Sequence, residues 1–374
     1  MLTLEIIDSY DEFKGCRDKW EKLLSESRVS NVFLTYDWID SYIKHFCKSD
    51  RLLILNVFEG GRLAAIAPLV IRKGRYFGMP VRAVRFIGTA ISDRIDFIIC
   101  GNKEGILGAI LDYLMAIKGE WDFVDLQEIA EYTGTMAAME ICLDKKGFVN
   151  ILGPARKSFF IELNGKRGAV FNRFYRKFNA KLRKLRNKQP GIEIDVERPA
   201  ADADALSVIA DIERHSWKRG RCGALFSEKN HMNFHKEIFE KFSKSNQLDI
   251  SILNLNKTPA AYVYNYLYEG RSYNYSIAYD EAYSDVSPGT ILMFCAIRDS
   301  ASSDAVEFDF ARGEGSWKIR LTDSFRTHNR VRIFKTGAYS RFLYILQSKI
   351  IPCMKAHAWI YRIWMKIKGA LRWN

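Results

Sequence analysis

The run Ser287-Pro288-Gly289-Thr290 is where this sequence first offers chemistry. Proline is tolerated at the first position of a helix, and Ser287 before it is the expected N-cap. The free amides of such a helix start, with the positive end of the helix dipole, suit the phosphates of an anionic donor. Asp309, at the end of a short predicted strand beside that cleft, is the first candidate for a general base, with Asp280 and Glu314 as alternates. Its ordinary reading is a carboxylate that pairs with Arg312 or caps a turn. Lys318 is placed to orient an acceptor carboxylate or the donor, against the ordinary reading of a solvated charge. His215, at the end of a predicted helix and followed by Trp217, is suited to proton transfer near neutral pH or to a structural role. His231 and His235 have the i, i+4 spacing of metal ligands, but no Cys or carboxylate cluster completes them, so no metal site is expected. Cys222 and Cys295 lack a neighbouring base in sequence, which disfavours a covalent thiol mechanism.

These residues need elements to hold them. Arg271–Ala278 alternates as a strand, and Ile291, Leu292, Phe294, Cys295 and Ile297 recur at helical spacing after Pro288. Val306–Phe310 reads as the next strand. The order of elements around this segment recurs in the first half. There, strands at Leu2–Ile7, Leu52–Phe58, Leu63–Arg72 and Arg82–Ile87 accompany helices at Phe13–Leu24 and Tyr36–Phe46, followed by a helix at Glu104–Ile117 and a strand at Phe123–Leu126. A helix at Thr135–Asp144 and a strand at Ser158–Leu163 close that half. The second half reads helix Ala203–Trp217, helix His231–Ser243, then strands Asp249–Leu255, Ala260–Tyr268 and Ser272–Tyr279, with Val331–Thr336 as the last strand. The expected fold is therefore α/β (α+β), with the architecture used twice. The expected organisation is a first domain over 1–165, a basic connecting helix over 166–190, a catalytic domain over 191–340 and a basic aromatic extension over 341–374. Cys100–Gly105, the first-half counterpart of the Ser-Pro-Gly start, puts Glu104 where a phosphate would lie, so the second half is expected to be the active one.

The chain of 374 residues is 48% hydrophobic, enough for two covered cores and against disorder. Seven cysteines stand singly with no CxxC pair, as expected of free thiols in a reducing compartment. Early acids interrupt any apolar leader and no long uncharged apolar run occurs, so a cytoplasmic protein is expected. The net charge of +13 is concentrated. Ten Lys or Arg and no acid lie between Lys166 and Lys188, and eleven more follow Asp323 with no acid. The first stretch reads as an amphipathic helix with Phe171, Phe174, Phe178, Leu182 and Leu185 on one face: a solvated cover for the core, or an anion-binding surface. The second interleaves Trp359, Tyr361, Trp364 and Trp373 with cations, which suggests contact with the inner face of an anionic membrane, against a helix packed on the body. Neither GxGxxG nor a Walker loop occurs in a convincing place, which disfavours a dehydrogenase or nucleotide hydrolase. No nucleic-acid module is recognised, although the basic balance leaves that class and a noncatalytic scaffold as alternatives.

The residues Tyr279, Asp280, Ser287-Pro288-Gly289, Leu292, Asp309-Phe310, Arg312-Gly313 and Lys318 resemble the acetyltransferase domain of the CelD-like family within the GNAT superfamily. Trp20, Leu23, Phe33, Trp38, Ala67-Pro68-Leu69 and Asp96 fall where that family's landmarks are expected in the first half. The resemblance covers the chain to about Ala338. It implies two tandem GNAT-like units, as in the related FemAB-type aminoacyltransferases, each a mixed, mostly antiparallel sheet flanked by helices. It also implies transfer of an acyl group from a thioester, acyl-CoA such as acetyl-CoA or an acyl carrier protein, to an amine or hydroxyl of a small molecule, sugar or cell-envelope precursor. An aminoacyl-tRNA donor is the alternative. Asp309, Lys318 and His215 are then the expected catalytic groups. Tyr279, Ser287, Pro288, Gly289 and Thr290 are expected to hold the donor, and Trp217, Asp280, Arg312 and Trp317 the acceptor. Ala311 stands where the family pattern expects glycine, and Trp317 where it expects tyrosine.

Overall fold

The computed structural model describes residues 1–219 and 225–357. These divide into two units, one of Met1–Arg156 with the stretch from Thr327 onward, the other of Lys157–Arg326. Strands β1 (Leu2–Ile7), β2 (Arg51–Glu59), β3 (Arg62–Tyr76), β4 (Met79–Phe86), β5 (Ile98–Ile99) and β6 (Phe123–Ala130) belong to the first unit. β7 (Val149–Glu162) runs through the boundary, β8 (Ile194–Glu197) to β12 (Glu307–Arg312) form the second unit, and β13 (Phe325–Phe334) follows it. Between these lie β9 (Leu248–Leu255), β10 (Thr258–Tyr268) and β11 (Arg271–Tyr279).

The strands of each unit follow one plan. In the first unit the order is β1-β2-β3-β4-β6-β13, with β5 beside β3; in the second it is β7-β12-β11-β10-β9-β8. Each is antiparallel except for one parallel neighbour pair, β4 with β6 and β11 with β12. β13, from after the second unit in sequence, completes the first unit's sheet by pairing with β6, and Ser158–Glu162 of β7 pairs with β12. Each unit is thus a mixed, mostly antiparallel sheet flanked by helices, as the sequence predicts. One local expectation is corrected, and one strand that was not expected is present. The helix expected over Phe13–Leu24 is two, Tyr10–Lys14 and Arg17–Glu26, because the chain stops at Gly15, whose amide closes back on the Glu12 and Phe13 carbonyls. The edge strand β8 is too short to stand out by alternation and is defined by its pairing with β9.

The core of the second unit is built on the helix Pro288–Ser302, which is buried along nearly its whole length. One side lies on the sheet. The other is covered by the basic helix Arg167–Lys188, whose Phe174, Phe178 and Leu185 are buried and whose Phe171 and Leu182 pack against the same cluster. The rings of Phe174 and Phe294 meet at 5.8 Å. Each such aromatic contributes about 1.5–3 kcal/mol by leaving water. The helix therefore covers the core with one stripe and leaves Arg176, Arg183, Lys184 and Arg186 exposed.

Candidate functional site

β11 and β12 are hydrogen-bonded at only three positions, from Arg271 opposite Glu307 to Tyr273 opposite Asp309. Beyond Tyr273 the edge of β11 has no ladder partner in this pair. Successive residues of a strand direct their amides to alternate edges. The Asp280 amide bonds the Ala260 carbonyl on the β10 side, so those of Tyr279 and Ile277 are directed to the open edge. There lies a cavity of about 670 Å³ that includes Ile277, Ala278, Tyr279, Ser287, Gly289 and Thr290 in its lining. Trp217 and Trp317 also line it, with the cations Lys177, Lys181 and Arg320 and, among the described residues, no carboxylate. Burial, with Arg173 beside it, holds the Lys177 ammonium below its ordinary range.

The helix start is arranged differently from the expected N-cap. Ser287 occupies the cap position in a left-handed conformation (φ 56°, ψ 52°), and its side chain makes no bond to the helix. Its carbonyl accepts from the Thr290 and Ile291 amides at 3.0 and 3.3 Å. Ser287 itself lines the cavity. Gly289 lies so close to the ring of Tyr279 that an added Cβ would meet Cδ1 at 3.2 Å.

Asp309 and Lys318 do not line this cavity. Asp309 is wholly buried. One of its oxygens accepts from the Ser158 hydroxyl at 3.0 Å and the Ala311 amide at 2.7 Å, and the other pairs with Arg326 at 3.2 Å. Arg326, an ion-pair partner that the sequence reading did not name, also binds Glu307. Ala311 has φ 56°, and the pairing of β12 with β7 slips between Asp309 and Arg312. That conformation favours glycine, the residue the family pattern expects there. Lys318 is buried too, and its ammonium donates to the carbonyls of Phe310, Ala311 and Arg312 at 2.6, 3.2 and 2.9 Å. Together the pair fixes the bulge that ends β12 beside the cavity.

The remaining expected residues fall on several sides. Trp217 and Trp317 face the cavity, but Asp280 and Arg312 do not line it. Asp280 caps the turn Glu281–Val286 by accepting from the Ala282 amide at 2.9 Å. His215 ends the helix Ala203–Arg214 outside the cavity, its Nδ1 3.0 Å from the Asp211 carbonyl. His235 is fully buried among the rings of Phe226, Phe234, Tyr264 and Tyr275, and burial pushes its imidazole down to about 3. His231 follows in the same direction for the same cause. Cys295 is a buried thiol pushed up to about 12 by burial and by Asp299. Cys222 and the aromatic residues from Trp359 onward lie outside the described residues.

Sequence reasoning missed two groups. Lys181 and Arg320 line the cavity, and the acid-free run from Lys166 to Lys188 was the signal for the first of them. The second group is a buried network behind the Trp217 wall. The Tyr262 hydroxyl donates to Glu213 at 2.6 Å and shares a 2.8 Å bond with Ser276, to which Lys218 also donates at 2.8 Å. Lys218 pairs with Glu213 at 3.1 Å, and its ammonium is lowered by burial against the opposing pull of that carboxylate.

Residues 172–319 match the family model described as an acetyltransferase (GNAT) domain. Among solved structures, FemX is similar over 91% of this chain and 99% of its own, with a TM-score of 0.60 at 12% identity. A conserved protein of unknown function from Bacteroides thetaiotaomicron aligns over 89% of this chain and 100% of its own (TM-score 0.55, 12% identity). A tandem GNAT protein from the clavulanic acid biosynthesis pathway aligns over 90% and 100% (TM-score 0.53, 10% identity). At these identities the likeness is one of fold. No curated protein matches the chain.

Proposed function

We propose that this chain, an acyltransferase by the GNAT-type domain it carries, moves an acyl group from acyl-CoA directly to the amine or hydroxyl of a small acceptor. The observation that carries this reading is one cavity joining a helix start with no side-chain cap, three cations and the open edge of β11. The donor's phosphates rest on the Gly289 amide at the helix start, with Lys177, Lys181 and Arg320 as counter-charges. The Tyr279 amide, or that of Ile277, polarises the thioester carbonyl where negative charge develops. The acceptor nitrogen or oxygen adds to that carbon, the C–S bond breaks, the thiolate leaves to be protonated, and the acceptor's proton passes to water. Trp217 and Trp317 flank the acceptor and exclude solvent. Asp309 and Lys318 contribute by holding the end of β12, not by exchanging protons, and His215 takes no part.

A second reading, an aminoacyl-tRNA donor, is favoured by the cations Arg176, Arg183, Lys184 and Arg186, which lie exposed on the helix that also supplies Lys177 and Lys181. An acyl carrier protein would use the same acidic-partner surface. No helix among the described residues is long and apolar enough to cross a membrane. Surface contact with anionic lipid belongs to the proposal through exposed Phe342 and Ile345 beside Arg341 on the helix Ala338–Ile345.

The test is thiol release from a panel of acyl-CoA donors with amine and hydroxyl acceptors. Lys181→Ala and Arg320→Ala should each raise the donor KM roughly tenfold, about 1.4 kcal/mol, with kcat little changed. Unchanged donor KM in both would remove the phosphate assignment. Turnover with aminoacyl-tRNA and none with any acyl-CoA would establish the second reading in place of the first.

A further inference from the structure

A second cavity, of about 520 Å³, lies wholly within the first unit and plays no part in the acyl transfer proposed above. Its lining includes Gln127, Ile151, Pro154, Arg156, Arg330 and Arg332. Arg330 grips Asp125 through two bonds of 2.5 and 2.6 Å, and Arg332 reaches the same carboxylate at 3.4 Å. Arg156 approaches Glu128 at 3.4 Å. Arg85 adds its field to Asp125, and its own Nε is buried without a hydrogen-bond partner.

Four guanidinium groups therefore share two carboxylates, Asp125 and Glu128, both almost fully buried. Arg156, Arg330 and Arg332 line the cavity and, among the described residues, no carboxylate does. Burial, and then Arg330, holds Arg332 below its ordinary range, with Asp125 insufficient to restore it. Asp125 is correspondingly held low, since Arg330, Arg332 and Arg85 outweigh the upward push of burial. A further polar atom, Nε2 of His328, is buried without a partner, and Nδ1 of the same ring lies 3.3 Å from the Glu128 carboxylate.

We propose that this cavity binds a small soluble phosphoester, whose phosphate is held by Arg156 and Arg332 while Asp125 and Glu128 fix the guanidinium planes. A phosphate monoester carries about −1.5 to −2 charges at neutral pH, which matches the local excess. Its oxygens fit the planar fork of arginine, and the acidic partners pre-orient that fork so that little side-chain entropy remains to be lost.

Calorimetric titration of the full chain with inorganic phosphate and with glycerol phosphate, at constant ionic strength, tests this. Binding of both should weaken roughly tenfold or more in Arg332→Gln and in Arg156→Gln, the expectation for loss of one charge-assisted contact. Lys181→Ala, in the second unit's cavity, should leave that binding unchanged. Arg156 is half exposed, so its variant folds even where Arg332→Gln does not, and circular dichroism of each variant confirms the comparison. Absence of phosphate binding overturns the site, as does binding lost in Lys181→Ala and retained in both arginine variants. Equal affinity for acetate overturns the phosphate class. Binding to phosphatidic acid vesicles that soluble phosphate does not displace would make the ligand a lipid headgroup and overturn the soluble phosphoester.

Discussion

The two units carry the same backbone irregularity and fill it with opposite chemistry. In each, the strand with a parallel neighbour bulges where it pairs with its antiparallel partner, at Ala311 (φ 56°) in β12 and at Glu128 (φ 65°) in β6. Around Ala311 the carbonyls are collected by the Lys318 ammonium, and Asp309 fastens the strand to Ser158 and Arg326. Around Glu128 the residue's own carboxylate meets His328 and Arg156. The helix starts diverge in the same way. That of Lys103–Ala116 is closed by Asn102, which accepts from the Gly105 amide at 3.2 Å, and holds Glu104 in its first turn. That of Pro288–Ser302 has no side-chain cap and opens on a cavity with three cations. A repeated fold thus conserves the shape of a strand end, while a few side chains decide whether the place next to it accepts a donor. At the helix starts the asymmetry is a matter of local satisfaction: Asn102 answers an amide in the first unit, and no side chain does so in the second.

The comparison is broken most directly at the two bulges. Lys318→Met removes the common partner of three carbonyls in a buried position, and should lower stability by about 3–5 kcal/mol, read as the denaturant midpoint at constant slope. Glu128→Gln keeps shape and one acceptor oxygen and should cost about 1–2 kcal/mol. Equal losses at both sites would mean that the two bulges are held alike.

A smaller effect distinguishes the units by pH. In the second unit, His235 has a folded value near 3 against 6.5 for the free side chain. Its stability contribution is complete above pH 6.5 and is lost as pH falls towards 3, reaching roughly 3 kcal/mol at pH 4. In the first unit, Asp96 is fully buried, accepts from Thr135 at 2.9 Å, and is raised by burial from 3.8 to about 6. Its contribution is complete below about pH 4 and is lost as pH rises through 6, by at most roughly 3 kcal/mol. Hence His235→Phe should gain on the wild type in acid, and Asp96→Asn should gain on it above pH 6. Denaturant midpoints at pH 4.5 and 7.5 check both signs, and the same pH trend in the two variants would contradict this assignment.

Much of the fold was legible because its signals are local. The alternation of Arg271–Ala278, the proline at 288 and the aromatic stripe through Phe174 and Phe178 each announce an element by spacing alone. The basic helix was also legible as amphipathic, and the structure joins its two readings: it covers the core, and Lys177 and Lys181 reach the cavity. The strand-end chemistry was less legible. Asp309 looked like a base from its place at a strand end, but its bonds to Ser158 and Arg326 involve residues 151 and 17 positions away. No pattern in one sequence reports such partners. The positive φ of Glu128 was hidden because its residue type does not advertise a left-handed backbone, whereas that of Ala311 was signalled only by the glycine the family pattern expects there. The Ser287 side chain was misjudged because residue type predicts an N-cap, whereas on its left-handed backbone the side chain makes no bond to the helix.

The smallest expected effect is the sharpest probe of the difference between the helix starts. Gly289 approaches Tyr279 so closely that a methyl group at 289 would stand 3.2 Å from Cδ1, a contact relieved by a shift of a few tenths of an ångström. The surrounding helix is buried, so Ala adds helix propensity and little strain, and stability should change by less than about 1 kcal/mol. The displaced neighbour, however, is the ring whose backbone amide is directed to the open edge, and the first-turn amides move with the helix. Gly289→Ala should therefore raise the donor KM and lower kcat a few-fold each while leaving the melting temperature nearly unchanged. The corresponding change in the first unit, Gly105→Ala, meets the Asn102 side chain at 2.8 Å. It should disturb that cap and the stability of its helix by about 1 kcal/mol without altering donor KM. A loss of donor affinity in Gly105→Ala equal to that in Gly289→Ala would show that the first unit's helix start also takes part in transfer.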